Sequence, residues 1–552
     1  MPPIFVHPDD PDLAGARLAA SVVVLRDGDD GPEVLMLRRA EREADLRSGV
    51  WVFPGGVLDP VDARLHGRCL GEDDATHSAR LGLRSGGLDF AVAALRECFE
   101  EVGLLFAQGP GLQAALAERA AVQRGEDFVA LCERHGLALS TQVLRYHSHW
   151  LTPPGIAKRF DTRFYVAQLP AGQTPVADQG EALEIAWLSP AEALSRERAL
   201  KLLPVTRRTL QDLGRFERVQ DILDDAAARR QPPRMMPRMG RGAAGVRPVL
   251  PDEWAYAEIG RLDPQGRGDV CFELPPLQPV PLSERVTRLT CANGSVMTGP
   301  GTNTYLIGAP GGALAVLDPG PDDGDSEAHL QAVLAAAAGR PITRILVTHT
   351  HKDHSPAAQR LRALTGAALV GLAAVHPEWQ DTAFVPDHAP ADGERLLLGP
   401  GCTLRAVHTP GHAANHVCWL LEEEALLFTG DHVMQGSTVV INPPDGDMAA
   451  YLRALSRLLE LPLSWFAPGH GFLMAQPHEE LRRLIAHRLA REDKVLAAVQ
   501  ALGPCADAAL VPTVYGDVPA ARHGIALRSL RAHLHKLQAE GRVREAGGLF
   551  SA

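Results

Sequence analysis

Thr348-His349-Thr350-His351-Lys352-Asp353-His354 comes directly after the apolar run 342–347, and this stretch decides how the second half of the chain is read. Two histidines two residues apart at the end of an extended segment emerge on the same side, so their rings can share one metal ion. Asp353 and His354 turn away into what the pattern predicts as the start of a helix, where they can serve a second ion about 3.5–4 Å from the first. Further along the chain the same placement recurs. His412 follows the apolar run 404–407 in Thr409-Pro410-Gly411-His412, Asp431 follows 425–428 in Thr429-Gly430-Asp431, and His470 follows 465–467 in Pro468-Gly469-His470-Gly471. Four strand ends converging on one edge of a fold suit a metal cage, because the strands hold the loops still while imidazole and carboxylate reach the ions. Asp431, with two carboxylate oxygens, is suited to bridge the pair. Between two divalent ions a water loses its proton near neutral pH, so the expected reaction class is hydrolysis. His and Asp ligands suit Zn²⁺, Mn²⁺ and Fe²⁺ alike.

A single histidine on a loop is more often a satisfied polar residue than a ligand; the joint set carries the metal reading. His416, four residues after His412, reads as a group that supports a ligand or touches substrate. Asp318, at the end of the strand-like run 313–317, either orients a ligand histidine or caps the turn at Pro319-Gly320. His408 and His432 stand next to ligands but point the other way on an extended chain, and read as structural.

The chain has 552 residues, too many for one hydrophobic core, so two to four domains are expected. A net charge of −12 argues against a protein that coats nucleic acid, while leaving room for a local basic patch. The eight cysteines are scattered with no Cys-x-x-Cys pair, which disfavours a zinc ribbon and a disulfide framework and fits a reducing, cytoplasmic compartment. Residues 1–10 lack the charged and apolar regions of a secretory leader, and no apolar run approaches the roughly 18 residues of a spanning helix, so no membrane partner is expected. Oligomeric state leaves no mark in the sequence. Prolines, glycines and arginines crowd 229–281, read as a partly ordered linker in which short stretches such as 253–259 pack on the first half. A second boundary is expected near Arg482, beyond which apolar residues at helical spacing lead into a short β-prone tail.

The first half carries its own chemistry. Strand-like runs at 21–26 and 33–39 precede Phe53-Pro54-Gly55-Gly56-Val57-Leu58-Asp59, and a helical pattern covers 90–106. On that helix Glu97, Glu100 and Glu101 share one face, where like charges repel by a few tenths of a kcal/mol per pair and a hard divalent cation would relieve them. A solvated acidic face is the plain alternative for such a triplet. Arg96-Glu97-Cys98-Phe99-Glu100-Glu101-Val102-Gly103-Leu104, with Gly55-Gly56 upstream, resembles the Nudix box of hydrolases that cleave nucleoside-diphosphate linkages. The resemblance implies that Glu97, Glu100 and Glu101 bind Mg²⁺ or Mn²⁺, that Arg96 braces a glutamate, and that water attacks phosphorus. The sequence departs from the box in that residues 61–88 separate the glycine loop from the helix. The glutamate expected between them has no clear match, since only Asp62 stands at its spacing from Gly56. An interrupted box of this kind, with Trp150-Leu151-Thr152-Pro153-Pro154 and Arg159-Phe160-Asp161-Thr162-Arg163-Phe164 later, resembles the peroxisomal coenzyme-A diphosphatase branch, which implies an acyl-CoA-type or nucleotide diphosphate substrate. Glu181 and Glu184 look Nudix-like too, and are equally well structural.

In the second half, Thr348-His349-Thr350-His351-Lys352-Asp353-His354, Thr409-Pro410-Gly411-His412, Gly430-Asp431 and Pro468-Gly469-His470 resemble the metallo-β-lactamase fold superfamily, an αββα sandwich of hydrolases using one or two metals, usually Zn²⁺. The resemblance implies a first metal on His349, His351 and His412, a second on Asp353, His354 and His470, and Asp431 between them. This full set is more like glyoxalase II and the nuclease branches than the lactamases. Gly301-Thr302-Asn303-Thr304-Tyr305-Leu306-Ile307-Gly308 and the helical C-terminal appendage are similar to the mitochondrial β-lactamase-like endoribonuclease, which makes Asn303 a candidate to touch substrate or support a ligand. The appendage resembles a small winged-helix domain, able to bind RNA or to close over the site. Its start, 482–494, holds five basic and two acidic residues, a bias that favours phosphate but is equally that of a solvated helix face.

The expected fold is therefore a multidomain α/β chain: a Nudix α/β/α sandwich at 14–228, the linker 229–281, a metallo-β-lactamase αββα sandwich at 282–481 and a winged helix at 482–552. The expected function is a hydrolase with a dinuclear site of two Zn²⁺, Mn²⁺ or Fe²⁺ ions, acting on an ester, thioester or RNA phosphodiester. It is fused to a Mg²⁺- or Mn²⁺-dependent diphosphatase for nucleotide or CoA-like substrates. Two alternatives stand beside it: a non-catalytic, nucleotide-sensing Nudix half, and an RNA-processing nuclease.

Overall fold

In the computed structural model, which describes residues 11–40, 48–123, 126–178, 182–229 and 231–552, the valine-rich run Ser21-Val22-Val23-Val24-Leu25 lies at the centre of a mixed sheet. The strand Ala16–Gly28 pairs antiparallel with Gly31–Arg39 and parallel with Arg159–Gln168. Because successive side chains face opposite ways, Val22 and Val24 pack with Phe90, Leu95 and Phe99 of the helix Gly87–Val102, while Val23 and Leu25 pack with Leu210 and Ile222 of two later helices. Each such buried aliphatic contributes about 1.5–3 kcal/mol. The result is an α/β/α sandwich. The segment 61–88 is ordered. It contains the 3₁₀ turn Asp62–Arg68 and the helix Asp74–Leu81, and Asp74 accepts from the backbone N–H of Gly86 and Leu88, both at 2.9 Å, tying down the first turn of Gly87–Val102.

This first unit comprises the described residues up to Gly240 with Val246–Pro251 and Asp263–Asp269; a second comprises Arg241–Gly245, Asp252–Leu262 and Val270–Ala552. The second holds two six-stranded sheets face to face. Tyr305, Ile307, Leu317 and Leu346 of one meet Leu404, Trp419, Phe428 and Ala467 of the other, and Trp419 Nε1 donates across the gap to Val347 O at 3.2 Å. The outer faces are covered by the helices Ser326–Ala336 and Ala358–Thr365 on one side, and by Met448–Leu458 and the start of Pro477–Leu502 on the other. That is the expected αββα order. The helix Pro477–Leu502 runs through Arg482 and ends against Asp507–Val514 and His523–Ala539. With a three-stranded sheet that includes Arg544–Ala546 and Leu549–Ser551, these form the winged helix.

The stretch 229–281 differs from the linker expected. Its helix Tyr256–Leu262 belongs to the second unit, not the first. Glu258 is the reason: fully buried, it accepts from both terminal nitrogens, Nη1 and Nη2, of buried Arg288, at 2.6 and 2.9 Å, and from the N–H of Leu473 at 2.7 Å. A carboxylate removed from water goes where a cation and a free N–H await it.

Candidate metal centre

The strand Ile342–Leu346 ends beside Asp318, which closes the neighbouring strand Leu314–Leu317. Asp318 holds φ at 51°, a left-handed conformation uncommon for a residue with a Cβ. One of its oxygens accepts from Thr348 N at 2.7 Å; the other accepts from Thr348 Oγ1 at 2.8 Å and lies 2.9 Å from His354 Nδ1. Asp318 therefore orients His354, the first of the two roles open to it, and leaves Nε2 of that ring free to face the site.

Two groups of ligand atoms form. Those of His349, His351 and His412 lie within 4.8 Å of one another, as do those of Asp353, His354, Asp431 and His470. Asp431 stands between the groups. Its Oδ1 is 3.4 Å from His354 Nε2 and 3.2 Å from His470 Nε2, while Oδ2 is 3.7 Å from His412 Nε2. Each imidazole is held from behind by its other nitrogen: His349 Nδ1 faces Thr348 Oγ1 at 3.0 Å, His412 Nδ1 faces Val440 O at 2.8 Å, and His470 Nδ1 faces Gly301 O at 3.1 Å. His351 is turned the other way. Its Nε2 meets Asp445 Oδ2 at 2.9 Å, so Nδ1 faces inward, 3.0 Å from His412 Nε2. Asp353 and His354 lie in a turn; the helix Ala358–Thr365 begins four residues after His354, and not at Asp353 and His354 as the pattern suggests.

The buried atoms His349 Nε2, His354 Nε2, His470 Nε2 and Asp431 Oδ1 have no hydrogen-bond partner. Orphaned polar atoms are rare in a folded interior, and four converging on one place fit cations there. Electrostatics agrees. Burial holds His349 well below the ordinary imidazole value and brings His412 down to about 4, the neutral form a metal ligand needs. In the second group burial opposes charge, but Asp353, Asp431 and Asp318 outweigh it and hold His354 well above the ordinary value. Asp431 and Asp353 raise His470 to about 9 in the same way. The same carboxylates that favour positive charge on these rings would favour divalent cations beside them.

His416 joins neither group. It is buried, stacked on His349 with ring centroids 5.0 Å apart, and its Nδ1 faces Thr409 Oγ1 at 2.9 Å. Asn303 is fully buried and donates to Pro468 O and Gly471 O at 3.0 and 2.8 Å, so it fastens the loop that presents His470. His408 faces Pro390 O at 2.9 Å, and His432 is buried against Tyr451. Asp445, which lies beyond the reach of the sequence reading, has no marker besides the turn-like Pro443-Pro444-Asp445-Gly446 in which it sits.

In the first unit, Arg96 is the hub of the glutamate helix. It donates to Asp62 Oδ1 at 2.8 Å, Val57 O at 3.0 Å, Glu97 Oε1 at 2.8 Å and, more weakly, Glu100 Oε2 at 3.5 Å. Asp62, fully buried, thus takes up the arginine despite the long insertion, and burial raises its pKa against the pull of Arg96. Glu101 accepts from Gly55 N at 2.9 Å, and burial pushes Glu100 up to about 7. Among the described residues these glutamates form no cluster of three or more ligand atoms like the two in the second unit. Glu184 pairs with Arg38 on the exposed face at 3.5 Å; Glu181 lies outside the described residues. The glycine loop packs on the helix so closely that a Cβ on Gly56 would lie 2.3 Å from the Glu97 carboxyl carbon. Gly56→Ala should therefore displace Glu97 and cut any Mg²⁺-dependent diphosphatase activity by about tenfold or more, with the thermal midpoint lowered only modestly.

Residues 297–470 match the metallo-beta-lactamase superfamily, 508–550 the beta-lactamase associated winged helix domain, and 72–205 the NUDT19 Nudix domain. An atrochrysone carboxyl ACP thioesterase of Aspergillus fumigatus is 32% identical over 253 residues, 43% of this chain and 76% of the relative. A beta-lactamase-like protein 2 homolog of Drosophila melanogaster is 31% identical over 280 residues, 48% of this chain and 91% of the relative. A solved NUDIX hydrolase from Alicyclobacillus acidocaldarius is 28% identical, covering 38% of this chain and 96% of that one at a TM-score of 0.32. The chain belongs to the metallo-β-lactamase superfamily, and it is a hydrolase. More particularly, it joins a Nudix domain of NUDT19 type, the metallo-β-lactamase domain and the associated winged helix in that order.

Proposed function

We propose that the second unit is a dinuclear metal-dependent thioesterase and that the first is a Nudix-type diphosphatase acting on nucleotide or CoA-like diphosphates. The observation that carries the first half of this reading is Asp431, set between two ligand groups, with its own Oδ1 and the Nε2 atoms of His349, His354 and His470 buried without hydrogen-bond partners. His349, His351 and His412 would hold one divalent cation, and Asp353, His354 and His470 the other, as Zn²⁺, Mn²⁺ or Fe²⁺. When bound, such a pair supplies a water activated at neutral pH and polarises the substrate carbonyl. The residues behind the ligands, Asp318, Asp445, Thr348 and Val440 O, fix which nitrogen of each ring points inward. The thioester class is supported by the relative named as an ACP thioesterase. An acyl-CoA offers a thioester to one unit and a diphosphate to the other, which makes it the substrate that best unites the two.

For the first unit, Glu97, Glu100 and Glu101 would hold Mg²⁺ or Mn²⁺ once released in part from Arg96 and Gly55. Their engagement by those partners favours a second reading of that unit alone, a nucleotide-sensing module. No helix among the described residues is long and apolar enough to cross a membrane, and the eight cysteines are free, which supports a reducing, cytoplasmic setting as part of the proposal.

The test is a screen of the full chain, with each metal added, against acyl-CoAs, nucleotide diphosphates and short RNAs, beside Asp431→Asn and Glu100→Gln. Thioester cleavage should vanish in the first variant and diphosphate cleavage in the second. Intact acyl-CoA alongside cleaved RNA would overturn the thioesterase reading; absence of diphosphate cleavage in every form would leave the first unit the sensing role.

A further inference from the structure

Two members of the first ligand group, His351 and His412, are oriented by a single loop. Val440 O faces His412 Nδ1 at 2.8 Å, and Asp445, five residues on, faces His351 Nε2 at 2.9 Å. Two of the three histidines thus take their orientation from the connection between the strand Leu426–Gly430 and the helix Met448–Leu458.

That loop is fastened by residues beyond the sandwich. Arg488, 3% exposed on the helix Pro477–Leu502, donates through Nη2 to Val439 O. Ser529 Oγ, buried on the helix His523–Ala539, accepts from Ile441 N at 3.3 Å. The residues on either side of Val440 are therefore gripped by the two C-terminal helices while Val440 itself holds His412. Arg488 reaches the site by a second route. Its guanidinium lies 5.3 Å over the Tyr451 ring, and Tyr451 Oη donates at 3.0 Å to the carbonyl of His432, next to Asp431. Gly411, next to His412, lies so close beneath that a Cβ there would come within 2.4 Å of Tyr451 Cα.

We infer that Arg488 and Ser529 are positioning residues for His412 and His351, so that the C-terminal helices set the metal affinity of the centre. This rests on the reading of those histidines as ligands. The competing account is ordinary helix packing, and Arg491 separates the two. One turn further along the same helix, it is bound to Asp517 at 2.7 and 2.8 Å and to Val514 O, holding the C-terminal domain together.

The experiment titrates Zn²⁺ into the full chain against a chromophoric chelator and follows thermal melting in parallel. Arg488→Ala is expected to weaken Zn²⁺ binding by about tenfold or more, the range for loss of support behind a ligand, while Arg488→Lys, which keeps a donor for Val439 O, recovers most of it. Arg491→Ala should lower the melting temperature and leave affinity unchanged. Parental affinity in Arg488→Ala overturns the inference, and so does an equal loss of affinity in Arg491→Ala. Should Arg488→Ala fail to fold, Ser529→Ala decides: about threefold weaker binding supports the inference and unchanged binding overturns it. A parent chain that takes up no metal sinks the ligand reading itself, a result distinct from either.

Discussion

Asp431→Asn is expected to lower the hydrolytic kcat/KM of the second unit by at least about 10³-fold, which corresponds to about 4 kcal/mol of transition-state stabilisation. The side chain keeps its shape and loses its charge. As an anion, Asp431 faces His354 and His470 through one oxygen and His412 through the other, and on the proposed dinuclear reading it would be the shared negative ligand that offsets the repulsion between two divalent cations. An amide can coordinate weakly through its carbonyl but cannot neutralise that charge. Metal content should therefore fall along with rate, which elemental analysis of the purified variant would show beside the kinetics. Activity within threefold of the parent would rule out a bridging role for this residue. Burial opposes the charge of Asp431, but His470 and His354 face the carboxylate and hold it well below the usual carboxylate range.

Glu258→Ala is expected to destabilise the second unit by about 3–5 kcal/mol, the cost of leaving a buried charge without its partner. Both members are about 1% exposed, and the geometry is bidentate, so removal of the carboxylate strands a guanidinium in the interior and also frees the N–H of Leu473. The loss should lower the melting temperature of this unit by on the order of 10 °C. Because Leu473 lies close after His470, metal affinity is expected to weaken as well. Replacing both partners, as Glu258→Leu with Arg288→Met, should be far milder than either single change, since no charge is then left unpaired. A single variant that melts with the parent would show that the pair contributes little.

The convergence of the candidate ligands was legible because chemistry and chain geometry coincide in them. His349, His351, Asp353, His354, His412, Asp431 and His470 each come after an apolar strand, and strands carried side by side in two facing sheets must deliver the loops at their ends to one edge. The helix bearing Glu97, Glu100 and Glu101 was legible for a similar reason, its spacing being local. Asp62 was harder. Its distance in sequence from Arg96 hides the fact that a folded insertion returns it to the guanidinium at 2.8 Å.

The features that escaped the sequence depend on long-range hydrogen bonding. The linker helix Tyr256–Leu262 looked like part of the first half because it comes next along the chain, yet a buried carboxylate packs where its charge is met, and Arg288 is in the second unit. For Asn303, a candidate for substrate contact or ligand support, the sequence left the choice open, and its bonds to the backbone of the His470 loop favour support.

The order and chemical type of the ligands, and with them the class of fold and reaction, come from the amino-acid sequence alone, since strand periodicity and ligand spacing are local properties. Which nitrogen of each ring points into the candidate centre, and what holds it there, was decided only by the tertiary structure. Asp318 reaches His354 across 36 residues of chain, Asp445 reaches His351 across 94, and both do so through hydrogen bonds whose partners are chosen by packing, not by proximity in sequence.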